Sequence, residues 1–178
     1  ISIWPAWVIV LKDYQKQRVL TLFNPESDRL GAGWNIIQSK TAIGSGGWEG
    51  LGWTQGSQAQ LDFLPEGHTD FIVAVLAEEF GFRGVLLLFL IYAVILGRGL
   101  VITWRAQSSF ARMLGGALVA TFFFGLVVNL GMVSGLLPVV GVPLPMVSYG
   151  GTAMVSMMIA FGMLMAISTE RRITRTMR

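Results

Sequence analysis

Apolar residues along this chain are gathered into long blocks rather than spaced at the period of a surface helix or a strand. From Phe71 to Trp104 the only charges are Glu78, Glu79, Arg83 and Arg98, and the centre reads VLLLFLIYAVILG. Met113–Val133 and Thr152–Thr169 are two further blocks. Each falls near or above the length of about 20 residues that a helix needs to cross a bilayer. The pattern predicts three full spans, over 70–104, 113–133 and 152–169. The apolar run Ile1–Leu11 is too short to cross alone. It reads as the end of a fourth membrane helix whose beginning is missing, so the chain is expected to be a C-terminal fragment.

Two polar or irregular stretches separate the blocks. Residues 12–69 carry Lys12, Lys16, Arg18, Arg29 and Lys40 against Asp13, Glu26, Asp28, Glu49, Asp62 and Glu66, a nearly neutral balance. Within them NPESDRLGAGW reads as a turn, and GWNIIQSKTAIGSGG as a short helix ended by Gly44, Gly46 and Gly47. Trp34, Ile36, Ile37, Ile43, Trp48, Leu51 and Trp53 are too many apolar residues for a solvated linker, which predicts an ordered loop on the membrane surface with tryptophans at headgroup depth. Residues 134–151, SGLLPVVGVPLPMVSYGG, hold three prolines and four glycines and cannot be one continuous helix. They read as a re-entrant segment, and 170–178 as a basic tail.

The predicted fold is therefore an all-α polytopic membrane protein, a helical bundle with a long ordered outer loop carrying short helices. Residues 1–178 form one membrane domain. The short loops orient it. Arg105 and Arg112 share a side with Arg171, Arg172, Arg175 and Arg178, and the positive-inside rule makes that side cytoplasmic. Loop 12–69 and segment 134–151 then both face outward, to the periplasm.

Composition agrees: 53% of residues are hydrophobic and 13% charged, against roughly a quarter charged in a soluble domain. Cysteine is absent, which removes disulfides, thiolate metal sites and cysteine nucleophiles. One histidine, His68, rules out a multi-histidine metal site within the chain. The net charge of +3 is small and scattered, so no nucleic-acid partner is expected.

Candidate chemistry gathers where the long loop meets the first span. Asp62, Glu66, His68 and Asp70 fall between 62 and 70, opposite a second irregular outer segment. Irregular backbone at membrane depth is tolerated where it is buried in protein or lines a wet cavity, so the two segments suggest a polar outward cavity. A carboxylate at Asp70 also suits the positive end of a helix dipole, and a capping role stays open beside the chemical one. Glu79 and Arg83 have the i,i+4 spacing of a structural ion pair. Asn129, the one strongly polar residue inside the second span, is expected to make an interhelical hydrogen bond. Lys40 shares a helical face with Ile36 and Ile43; it either snorkels or meets a lipid phosphate.

The runs NPESDRLGAGWNIIQSKTAIGSGG, LDFLPEGHTDFIVAVLAEEFG and GMVSGLLPVVGVPLPMVSYGGT closely resemble the SEDS proteins of shape, elongation, division and sporulation, the FtsW/RodA/SpoVE family. IIQSKTAIGSGG resembles the RodA-type elongation branch more than the division branch. The resemblance implies a peptidoglycan glycosyltransferase of the bacterial inner membrane. Such an enzyme polymerises lipid II during elongation and rod-shape maintenance, beside a class B penicillin-binding transpeptidase. It places the family's essential aspartate at Asp70 and an upstream acidic position at Asp62. It also implies a divalent cation, Mg²⁺ or Mn²⁺, whose ligands the sequence does not locate.

On that reading Asp70 is the general base or a metal ligand. Lys40 or the cation would stabilise a departing pyrophosphate. Gln38, Asp62, Glu66, His68, Ser148, Tyr149 and Gly150 complete the candidate substrate-binding set. Direct displacement by one base would invert the anomeric centre. Two other readings stand beside it: a lipid II flippase, for which Glu78 and Arg83 would matter most, and a non-catalytic scaffold for the transpeptidase.

Overall fold

The computed structural model describes residues 13–24, 31–56, 67 and 69–176. Among them lie five helices and no strand: α1 Asp13–Phe23, α2 Ala32–Gly46, α3 Ile72–Trp104, α4 Ser109–Val133 and α5 Gly151–Thr176. α3, α4 and the 151–169 part of α5 are each long and apolar enough to cross a membrane. The fold is all-α and polytopic. The run Ile1–Leu11 and the centre of the NPESDRLGAGW turn lie outside the described residues.

α1 was not foreseen within the polar loop. Its sequence, DYQKQRVLTLF, has a weak apolar stripe, and Tyr14 and Leu20 are exposed. Thr21, near its end, is buried, and the helix packs on α2. α2 runs through Gly44 and stops at Gly46. α4 begins earlier than the apolar block, because Ser108 caps it: its Oγ accepts the Ala111 N–H at 3.1 Å.

α3 is broken. Gly81 has φ +66 and ψ −165, a conformation essentially reserved for glycine. At 1.5 Å per residue an unbroken 72–104 helix would be about 50 Å long, against a hydrocarbon core of about 30 Å. The break leaves 82–104, about 35 Å, as the span and sets 72–80 apart as a stub. Backbone groups freed at the break are met by the loop that follows α2. Leu51 and Gly52 N–H groups donate to the Glu78 and Glu79 carbonyls at 2.9 and 3.0 Å, and Phe82 N–H donates to the Gly47 carbonyl at 2.9 Å. Trp48 stacks on Phe82 and Trp53 packs edge-on to Phe80 on either side of the break.

That break overturns the expected Glu79–Arg83 pair, because i,i+4 proximity requires continuous helix between the two residues. Arg83 instead pairs with Glu49 of the loop at 3.1 Å, and Glu79 Oε1 accepts the Thr54 N–H at 3.1 Å.

The core lies at the end of the bundle where α2 and segment 134–150 meet the spanning helices. Phe71, Val73, Ala74, Met132, Val133 and Leu144 are buried together there with Ala42 of α2. Deeper along the spans, Phe122 of α4 sits between the rings of Tyr92 on α3 and Phe161 on α5, with centroids 5.5 and 5.4 Å away. The outer faces of α3 and α5, including Leu86, Leu90, Val155 and Ile159, are exposed, as expected of spanning helices.

Candidate functional site

Asp70 occupies the turn that enters α3, half-buried, directly before Phe71, which is fully buried. Phe71 anchors the turn in the core and so fixes where the preceding carboxylate emerges. The capping role left open for Asp70 is not the geometry found: Phe71 holds the N-cap position of α3, and no side chain caps it.

Facing Asp70 is segment 134–150. It begins as a Schellman ending of α4, with Gly135 at φ +70. Leu136 N–H donates to the Gly131 carbonyl at 2.8 Å, and Gly135 N–H to the Met132 carbonyl at 3.1 Å. The segment then passes over Asp70, where a Cβ added to Gly141 would lie 3.2 Å from Asp70 Oδ2. Two side chains hold it down. Tyr92 donates its hydroxyl to the Pro145 carbonyl at 2.6 Å, and the Asn129 amide donates to the carbonyls of Asp70 and Val142, each at 2.8 Å. Asn129 therefore bonds the Asp70 turn and segment 134–150, not the neighbouring helix predicted for it.

α2 forms the third wall. Ser39 is fully buried, and its hydroxyl lies 2.9 Å from the Val133 carbonyl and 3.0 Å from that of Ile36. This contact sets α2 against the end of α4 and delivers the next residue, Lys40, to Gly135: a Cβ there would meet Lys40 Cε at 2.5 Å and Nζ at 2.7 Å. Lys40 is exposed and makes no hydrogen bond or ion pair among the described residues. Asp70 and Lys40 thus both pack on segment 134–150, at Gly141 and Gly135.

The other predicted residues are distributed unevenly. Gln38 is half-buried on α2. Ser148 Oγ accepts the Leu144 N–H at 2.7 Å and closes the turn before α5. Tyr149 is 85% exposed, and Gly150 follows it, half-buried. Asp62, Glu66 and His68 lie outside the described residues. Among the described residues no three His, Asp or Glu side chains converge, so these residues do not by themselves fit a divalent cation.

A cavity of about 610 Å³ opens between α2, α3 and α4, lined by Ile43, Val73, Phe89, Leu130 and Leu137 among others. Its lining is apolar apart from Ser134, which suits hydrocarbon better than a sugar or a phosphate. Asp70 and Lys40 are instead the charged side chains that pack on segment 134–150. Ser39 and Gly141 were missed in the sequence because neither a buried serine nor a close glycine carries a local signal.

The family model FTSW_RODA_SPOVE, described as a cell cycle protein, matches residues 1–173. The chain belongs to this family. Among FtsW/RodA/SpoVE relatives it is 57% identical to the peptidoglycan glycosyltransferase MrdB of Escherichia coli (strain K12) over 166 residues, 93% of this chain and 45% of that protein. It is 42% identical to the peptidoglycan glycosyltransferase RodA of Treponema pallidum (strain Nichols), over 92% of this chain and 38% of that one. In structure it is similar to a chain described under structural coordination of polymerization and crosslinking by a peptidoglycan synthase complex, with TM-score 0.74 and 29% identity over 96% of this chain and 45% of that one. This FtsW/RodA/SpoVE chain spans less than half the length of these relatives.

Proposed function

We propose that the full-length protein is a RodA-type peptidoglycan glycosyltransferase that polymerises lipid II into glycan strands for cell elongation and rod shape, with Asp70 at the reacting centre. The observation that carries this reading is the 57% identity to a peptidoglycan glycosyltransferase across nearly the whole chain. The Asp70 carboxylate beside an irregular segment supplies the matching chemistry.

The acceptor sugar's 4-hydroxyl attacks the anomeric carbon of the lipid-linked donor. A new C–O bond forms, the C–O bond to pyrophosphate breaks, and polyprenyl pyrophosphate leaves with the bonding pair. The hydroxyl proton passes to Asp70, a general-base contribution of about 10²–10⁴-fold. One displacement inverts the anomeric centre. The Lys40 cation, which has no ion pair among the described residues, is suited to the pyrophosphate charge that develops as the bond breaks. Gln38, Asp62, Glu66, His68, Ser148, Tyr149 and Gly150 remain proposed contacts for the sugars and phosphates. A required divalent cation is also proposed, its donors to come partly from beyond the described residues.

On this reading the protein lies in the bacterial inner membrane. The 12–69 loop and segment 134–150 face the periplasm, and the C-terminus faces the cytoplasm. It works with a class B penicillin-binding protein in the elongation machinery. Transport without bond formation is less well supported, because, of the two charges it would rest on, Arg83 pairs with Glu49 of the loop and Glu78 is buried against Gly56 of the same loop.

Gel analysis of labelled lipid II, with the full-length protein and its transpeptidase partner, tests the proposal. Asp70→Ala is expected to abolish polymer while the complex still co-purifies. Polymer at the native rate with a weakened complex would favour the scaffold reading. Intact lipid movement that fails on Glu78→Ala or Arg83→Ala would favour the flippase.

A further inference from the structure

Asn129 is fully buried on α4, where an apolar residue of similar size would meet no desolvation cost. Its amide nitrogen carries two N–H groups, and both are used outside its own helix: one on the Asp70 carbonyl and one on the Val142 carbonyl, at 2.8 Å each. Its Oδ1 is buried with no hydrogen-bond partner among the described residues. The amide cannot rotate to relieve that oxygen, since rotation would set it against two carbonyl oxygens. A buried unsatisfied acceptor is costly, so the two donated bonds are what this residue supplies.

Those bonds join the backbone of the residue that bears the carboxylate to the residue after Gly141, and Gly141 is where the carboxylate sits. Both bonded carbonyls belong to irregular segments, which lack a helix or sheet ladder to fix them. We infer that Asn129 is a positioning residue: it ties the Asp70 turn to segment 134–150 and so holds the carboxylate beside Gly141, touching no substrate itself. The inference rests on the catalytic reading of Asp70. A base displaced by about 1 Å loses on the order of 10² in rate, and the loss falls on the chemical step rather than on binding.

The test is steady-state lipid II polymerisation by the full-length protein with its partner, comparing native, Asn129→Leu, Asn129→Asp and Asp70→Asn. Asn129→Leu keeps the volume and removes both donors. Asn129→Asp keeps the shape and, when neutral, one donor. The expected result is a kcat about 10²-fold lower for Asn129→Leu, with KM within roughly threefold of native and an unchanged folded fraction, and Asn129→Asp in between. Should Asn129→Leu fail to fold, the kcat-against-KM split of Asn129→Asp decides alone. The inference is overturned if the variants keep the native kcat, if the loss lies in KM, or if it merely follows the folded fraction. Its failure is separable from that of the underlying reading. An active Asp70→Asn removes the catalytic role of Asp70, whereas an inactive Asp70→Asn beside a native Asn129→Leu removes only the role of Asn129.

Discussion

Tyr92, buried within the α3 span, donates its hydroxyl to the carbonyl of Pro145, 2.6 Å away in the irregular segment that follows α4. One hydroxyl thus links a membrane-crossing helix to a stretch that proline and glycine keep out of regular structure. Pro145 is itself buried, so its carbonyl has no ready replacement partner. Tyr92→Phe keeps the tilted ring contact with Phe122 and removes only the donor. We expect a stability loss of about 1–3 kcal/mol, read as a lower melting temperature of the detergent-solubilised protein, with proteolysis shifted into 134–150.

Gly141→Ala probes the space beside the carboxylate. Its Cβ would lie 3.2 Å from Asp70 Oδ2 on a backbone with φ +78. The left-handed conformation costs an alanine about 1–2 kcal/mol. Polymerisation is expected to fall more than this stability loss accounts for, because the methyl group occupies the ground next to the base. Activity measured at equal folded fraction separates the two effects.

The break in α3 gives a contrast between two neighbours. Arg83 and Glu49 form an ion pair with side chains 62% and 73% exposed, and exposed pairs contribute only about 0.2–1 kcal/mol. Arg83→Ala should therefore change the melting temperature little. Gly81→Ala should prevent stable folding, since a Cβ there would collide with the Gly50 backbone and come within 2.7 Å of the Trp48 carbonyl oxygen. Melting curves of the two variants side by side check both expectations.

The spans were legible because bilayer length and blocked hydrophobicity are strong signals, and the irregular character of 134–150 followed from Pro138, Pro143 and Pro145. What the sequence hid was geometry over distance. Glu79 and Arg83 look like a helical pair until the backbone turns at Gly81, and a glycine inside an apolar run gives no sign that a loop will be paired across it. Asn129 was recognised as a hydrogen-bonding residue, but its partners are backbone carbonyls 59 and 13 positions away, which no local pattern encodes. Asp70 was singled out through resemblance and through its acidic neighbours. Its company in space, Gly141 and the end of α4 with Lys40 beside it, came only with the structure.

The most direct measurement is the single-turnover rate of glycan bond formation by the full-length complex carrying Asp70→Asn, which keeps side-chain size and removes the proton acceptor. A rate at least about 10²-fold below native, with helix content, insertion and partner co-purification unchanged, is the predicted result. A native rate from that folded variant would contradict the assignment of Asp70 as the group that activates the acceptor.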